Sequence, residues 1–354
     1  MTAALAWAEH RDGDRLVLLG LAPELLADLR SLAPGEVGRA VPVFPSEILT
    51  NGEQPITLQA MSGRYEISDA LVCFTPRHQF LPGTAYTVFV GGEALQIERP
   101  AVGGAPSTVV VEVHPTAAVL PRNALRFYVH FSAPMTYGLA ARHIRLERAD
   151  TGEPIVGPFS PMDPELWDPE RRRLTVLLDP ARIKRGLAPH REAGYPLEEG
   201  TFVDLVIGRE FLDAAGRPLV ADHRQGYGVG PDFRGRVDPA DWSLSLPEVG
   251  GTLPLVARFD RPLDRALLAR CLTVAGPGQL PIAGTTSVSD GDESWSFAPD
   301  APWQPCEHRL LIDPVLEDLA GNSLTRVFDR DISEPDQDPH TKTLSIPFVI
   351  GALL

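Results

Sequence analysis

The sequence predicts an all-β chain of β-sandwich modules in tandem, and three observations carry that prediction. First, a pattern is written into the chain twice and in part a third time: a strand ending in Phe-x-x-Pro, a later strand ending in apolar-x-Pro, then an Asp-x-Ala-Gly turn. Second, 35 prolines and 31 glycines punctuate the 354 residues too densely for long helices. Third, that length exceeds one sandwich of about 100 residues and suits three. The 44% of hydrophobic residues is enough for a core in each.

The expected modules span 1–104, 105–235 and 236–354. In the first, Pro23 suits a first helical turn, and Leu25, Leu26, Leu29 and Leu32 share one helical face, so a short amphipathic helix is expected between Leu21 and Leu32. Ala70, Val72 and Phe74 then alternate toward Pro76. In the middle module Leu125, Phe127, Val129 and Phe131 alternate with Arg126, Tyr128, His130 and Ser132, the period of a half-buried strand. Pro134 ends it by removing a ladder donor. Leu174, Val176 and Leu178 lead to Pro180, and Asp213-Ala214-Ala215-Gly216 turns the chain. The last module repeats the phase with Leu253, Leu255, Ala257 and Phe259 before Pro262, Trp295 and Phe297 before Pro299, and Asp318-Leu319-Ala320-Gly321. The cores are expected around Phe127, Val129 and Phe131 and around Leu255, Phe259 and Phe297.

Phe80-Leu81-Pro82-Gly83-Thr84-Ala85-Tyr86 lines up with Trp303-Gln304-Pro305-Cys306-Glu307-His308, and more loosely with Leu197-Glu198-Glu199-Gly200-Thr201-Phe202. Each places an aromatic or His just after a tight turn, as a tyrosine corner does. Joints are expected at the Gly- and Pro-rich stretches 99–106 and 229–235. A long polar loop, 334–343, should lead to a last strand at Leu344–Val349.

A net charge of −15 repels a phosphate backbone, so nucleic acid is excluded as a partner. The basic charge is almost all arginine, with Lys184 and Lys342 the only lysines. Cys73, Cys271 and Cys306 have no metal-binding spacing, and an odd count is no disulfide framework, although Cys271 and Cys306 lie in one module. The longest apolar stretches, 16–22 and 348–354, fall far short of a membrane span. Residues 1–10 lack the basic and apolar parts of a signal peptide. The chain is therefore either cytoplasmic or a mature form whose signal has been removed.

Phe-x-x-Pro-[Met/Leu], the Gly-Thr-Phe turn at 200–202 and Leu316-Glu317-Asp318-Leu319-Ala320-Gly321-Asn322-Ser323-Leu324 resemble the bacterial Ig-like domains of S-layer and other cell-envelope proteins. The resemblance covers about 105–350, and the three-module arrangement is similar to Ig-like-domain proteins of environmental bacteria. It implies tandem Ig-like sandwiches and an extracytoplasmic address, and it leaves function open, because such domains serve many.

The candidate site is the largest interruption of the repeat. Residues 181–199 stand where the last module has only 300–305. The insertion carries Arg182, Lys184, Arg185 and His190, with Arg171, Arg172 and Arg173 upstream and Trp167 close by. In so acidic a chain these are candidate donors for an anionic ligand, with Trp167 as a wall. The same arginines also have Glu165, Asp168, Glu170, Glu192, Glu198 and Glu199 as neighbours to pair with. No HExxH, calcium loop, Gly-x-Ser-x-Gly or phosphate loop is present, and Asp290-Gly291-Asp292-Glu293 is most simply a hairpin turn. No metal, cofactor or catalytic residue is expected. The sequence thus points to a noncatalytic structural or interaction protein that presents loops to a protein or polysaccharide surface. The alternative is a carbohydrate-active or other hydrolase accessory with a site near 167–191.

Overall fold

The computed structural model describes residues 3–8, 14–49, 59–77, 80–100, 104–162, 164–289, 291–329 and 344–351. Asp290 and the loop 334–343 lie outside the described residues, as do 101–103 of the first joint. The chain divides into two compact units. One comprises Met1–Thr108, Ala133–Tyr137 and Glu210–Val220, and the other the remainder.

The first unit contains β1 (Ala4–Ala8), β2 (Arg15–Leu19), α1 (Pro23–Ser31), α2 (Pro34–Ala40), β3 (Val43–Pro45), β4 (Gly63–Ile67), β5 (Leu71–Pro76), β6 (Ala85–Val90) and β7 (Glu93–Glu98). Its sheets run β1-β2-β5-β4 and β3-β6-β7. The alternation read from the sequence buries Val72 and Phe74, which pack with Phe44, Phe80 and Tyr86. The amphipathic helix forms as α1, and its Leu26 and Leu29 are buried. At the corner, Leu81 N donates to Tyr86 Oη at 2.6 Å, and burial pushes that phenol up to about 12. The unit also holds the first Asp-x-Ala-Gly turn. Asp213 Oδ1 accepts from Ala215 N and Arg217 N at 2.9 Å each, and Gly216 takes φ 75°.

The second unit holds two sandwiches. The first is built from β8 (Val110–His114), β9 (Val119–Pro121), β10 (Arg126–Phe131), α3 (Ala140–His143), β11 (Ile144–Arg148), β12 (Leu166–Trp167), β13 (Arg173–Leu177), α4 (Pro180–Ile183), α5 (Ala188–Ala193), β14 (Phe202–Ile207) and β15 (His223–Gly230). Its sheets are β12-β13-β10-β8 and β11-β14-β15-β9. The second is built from β16 (Ser243–Ser245), β17 (Leu255–Arg258), α6 (Arg265–Cys271), β18 (Leu272–Ala275), β19 (Gly284–Val288), β20 (Ser294–Pro299), β21 (Glu307–Ile312) and β22 (Leu344–Val349), in sheets β16-β17-β20-β19 and β18-β21-β22.

The fold is all-β, of tandem Ig-like sandwiches. Read from its N-terminal edge, the order β8-β10-β13-β12 repeats β16-β17-β20-β19, and β1-β2-β5-β4 repeats it again. Phe127, Val129 and Phe131 are buried in one core, and Leu255, Phe259 and Phe297 in the other. Helices α2 to α6 are additions that strand phase does not announce. Asp264 starts α6 by accepting from Leu267 N at 3.0 Å. Cys73, Cys271 and Cys306 are free thiols, so Cys271 and Cys306 do not pair.

Candidate functional site

The insertion between β13 and β14 forms two short helices because its residues start and stop them. Asp179 Oδ1 accepts from Ala181 N at 2.9 Å and Pro180 opens α4. Pro189 lies in the first turn of α5, and Gly194 ends it at φ 67°. Arg182 ties the pair down. Its Nε donates to Gly194 O at 3.1 Å. Its Nη1 donates to Val156 O at 2.9 Å and Gly157 O at 3.0 Å. Its Nη2 donates to Ala193 O at 3.2 Å and Tyr195 O at 3.0 Å. A guanidinium has five N–H groups, and all five are engaged by carbonyls. Desolvation holds Arg182 below its ordinary value.

The other candidates take separate places. His190 Nδ1 meets Arg182 O, and its ring stands edge-on to Tyr195 at 4.6 Å. Lys184 Nζ lies 4.7 Å from the Phe328 ring centroid, and Arg185 Nε pairs with Asp329 Oδ2 at 2.8 Å. Arg234 joins them, reaching Asp329 Oδ2 at 3.4 Å and Tyr195 Oη at 3.0 Å and pairing with Asp232. Trp167 stands apart on β12, where Nε1 donates to Glu165 Oε2 at 2.6 Å and the ring meets Phe131 at 5.8 Å. The structure thus brings Arg182 together with His190, sets Lys184 and Arg185 against residues 328–329, and leaves Trp167 on an edge strand. Beside the insertion lies a groove of about 360 Å³, lined by Arg148, Val156, Arg182, Tyr195, Glu198 and Thr201 among others. The pair Arg148 Nη2 to Glu198 Oε2, at 2.7 Å, sits on its rim.

A second polar cluster joins the two sandwiches of this unit. Tyr128 Oη donates to Asp264 Oδ2 at 2.8 Å, and Arg126 pairs with Glu317 and stands 3.5 Å from Asp264. Thr116 N donates to Asp292 Oδ2 at 2.7 Å, and Gly291 N donates to Thr116 Oγ1 at 2.9 Å. Leu125 N donates to Leu319 O at 2.9 Å. The linking residue Phe233 is held from both sides. Asn123 Nδ2 donates to its carbonyl at 2.8 Å while Asn123 Oδ1 accepts from its N–H at 3.0 Å. Asn322 Nδ2 reaches the same carbonyl at 3.1 Å, and Arg261 lies over the ring.

Burial shifts several groups here. It raises Tyr128 and holds His114 and His130 low, the two rings being 5.2 Å apart. Burial also pushes Asp318 up to about 6, against hydrogen bonds from Asn322. Sequence reasoning expected a joint at 229–235 but missed the polar network that holds it. The local signals were Asp264 ahead of a helical run and polar Tyr128 and Arg126 on an outward strand face, but their partners lie more than 130 positions away.

No family model and no curated protein matches the chain. Among solved structures it is similar to alpha-2-macroglobulin from Escherichia coli, domains MG0-NIE-MG1, at 9% identity and TM-score 0.24, covering 70% of this chain and 72% of that one. It is also similar to a protein solved with xylogluco-oligosaccharide, at 11% identity and TM-score 0.21, covering 90% of this chain and 58% of that one. For surface layer protein SbsC, domains 4-9, the values are 10% and 0.20, with 99% and 47% covered. Likenesses this low carry no functional argument.

Proposed function

We propose that the chain is a noncatalytic structural and interaction protein of the cell envelope or secreted space. Its modules, 1–104, 105–235 and 236–354, act as spacers and present loops to a protein or polysaccharide partner. The observation that carries the reading is the joint. A link rich in Gly and Pro, of the sort that ordinarily lets domains move, is here hydrogen-bonded from both sandwiches through Phe233. Recurrence of one strand order in three four-stranded sheets supports the modular part. The insertion supplies the partner-facing loop. Arg182 holds its shape, while Lys184 and the half-exposed Arg185 are the donors an anionic partner group would meet.

Hydrogen exchange of the full chain during thermal unfolding tests the joint. Peptides from 109–132 and from 255–312 should open together, and Asn123→Ala/Asp264→Ala should separate them. Independent opening in the unaltered chain overturns the spacer reading. Binding of acidic glycans or acidic peptides should weaken on Arg185→Glu and with added salt. Turnover of any glycan, ester or peptide in a panel overturns the noncatalytic part and favours the hydrolase alternative.

A further inference from the structure

Strand β19 is an edge strand, and its register shows which of its main-chain groups face outward. Asp300 N donates to Ala283 O at 3.0 Å, and Ser289 N donates to Ser294 O at 3.0 Å. With the register Gly284↔Pro299 through Val288↔Trp295, the residues bonded to β20 are therefore 283, 285, 287 and 289. The N–H and C=O groups of Gly284, Thr286 and Val288 point away from the sheet. Pro299, which has no N–H to give, correctly falls opposite one of these outward residues. Four of the five β19 residues are exposed.

Open edges are usually guarded by charge, proline, brevity or a cover, and the other edges of this chain follow that rule. The equivalent strand of the first unit, β4, carries Arg64 and Glu66, and β7 begins and ends in Glu93 and Glu98. Strand β11 carries Arg145, Glu147 and Arg148. Strand β9 ends in Pro121, β22 contains Pro347, and β8 contains Glu112. Strands β12 and β16 have two and three residues. Strand β18 is bridged by Pro281, and β1 is tied to β7 through Trp7 Nε1 and Glu98 O at 2.9 Å. Among the described residues strand β19, Gly-Thr-Thr-Ser-Val, has neither charge, proline nor brevity. Helix α6 lies beside it and Arg265 Nη1 donates to Ser289 O at 3.1 Å just past its C-terminal end, while Gly284 to Ser287 stay exposed.

Charge identifies what would pair with it. The chain has a net charge of −15, so two copies repel over most of their surface. Residues 271–289 contain no Asp, Glu, Lys or Arg, the longest such run in the sequence. A second copy meets no like charge along this strip.

We propose that β19 pairs antiparallel with β19 of a second copy about a two-fold axis at Thr286. The register sets Thr286 against Thr286 and Gly284 against Val288. Each of these three pairs exchanges two main-chain hydrogen bonds, and two four-stranded sheets become one. This inference goes beyond the spacer reading and does not depend on it.

The same register places Thr285 opposite Ser287 of the other copy, which supplies the test. In Thr285→Lys/Ser287→Lys every Lys faces a Lys, and in Thr285→Glu/Ser287→Glu every Glu faces a Glu. Sedimentation of the full chain should show a dimer for the unaltered protein. Each double variant should dimerise at least about tenfold more weakly, with its circular dichroism unchanged. An equimolar mixture of the two variants should recover the dimer, because Lys then faces Glu. A monomeric unaltered chain overturns the proposal. So does a dimer indifferent to the lysines, which would place the contact elsewhere. A mixture that stays monomeric overturns it as well, and β19 capture of a different protein's strand without self-association would do the same.

Discussion

Arg182 and Arg185 stand three positions apart in one insertion, yet the structure gives them different work. All five Arg182 donors hold carbonyls from two segments, so Arg182→Ala should cost about 2–4 kcal/mol of stability in urea unfolding. Arg185 makes an exposed ion pair with Asp329, and Arg185→Ala should cost under about 1 kcal/mol.

Titration adds a second contrast between residues. Desolvation, outweighing Glu112, holds His114 below 6.5, with Arg265 and Asp292 also facing it. The unfolded chain then binds more protons than the folded one below about pH 6.5, so stability falls as pH drops from there through the folded value. Asp318 acts in the opposite sense. Raised from 3.8 to about 6, it lets the folded chain bind more protons within that window, so its contribution grows as pH falls through it. Urea midpoints measured from about pH 7.5 down to about pH 4.5 should show a flatter acid loss in His114→Gln and a steeper one in Asp318→Asn.

At the scale of elements, the edge strands β4 and β19 each open on a glycine for the same reason. A Cβ on Gly63 would stand 2.6 Å from Phe74 Cζ, and one on Gly284 would stand 2.6 Å from Phe297 Cζ. Gly63→Ala and Gly284→Ala should each cost about 1–3 kcal/mol through overpacking. Gly186→Ala, in the insertion, meets nothing within 4 Å and should change stability by under about 0.5 kcal/mol. Thermal unfolding of the three variants checks the contrast. The corner is shared in the same way. Leu81 N meets Tyr86 Oη in the first unit, and in the last sandwich His308 Nε2 meets Gln304 O at 3.1 Å.

For the molecule as a whole, the joint within the second unit is a network rather than a set of independent bonds. Asp264 caps α6, receives Tyr128 Oη and stands beside Arg126, so removing it leaves the buried Tyr128 Oη without its acceptor while Arg126 keeps Glu317. A double-mutant cycle of Tyr128→Phe and Asp264→Ala should therefore show a coupling of about 0.5–3 kcal/mol in chemical denaturation. Additive effects would mean that this pair does not couple the two sandwiches.

The all-β class, the strands through Phe127, Phe131, Leu255 and Phe297, the helix at α1 and the paired Asp-x-Ala-Gly turns were legible in the sequence. Each is written in local spacing, a period of two, a proline or a turn glycine, that acts within a few residues. The same holds for the insertion, visible as a break in a repeat. What fills the donors of its cations was not legible, because Arg182 meets carbonyls at 156, 157 and 193–195 and Arg185 meets Asp329, 144 positions away. Nor were the joint through Tyr128 and Asp264 or the open side of β19. Composition names the charges, but only tertiary packing sets which of them meet, which helix caps face a neighbouring sandwich, and which strand is left at an edge. Those are distances through space, and a chain that folds back on itself sets them independently of distance along the sequence.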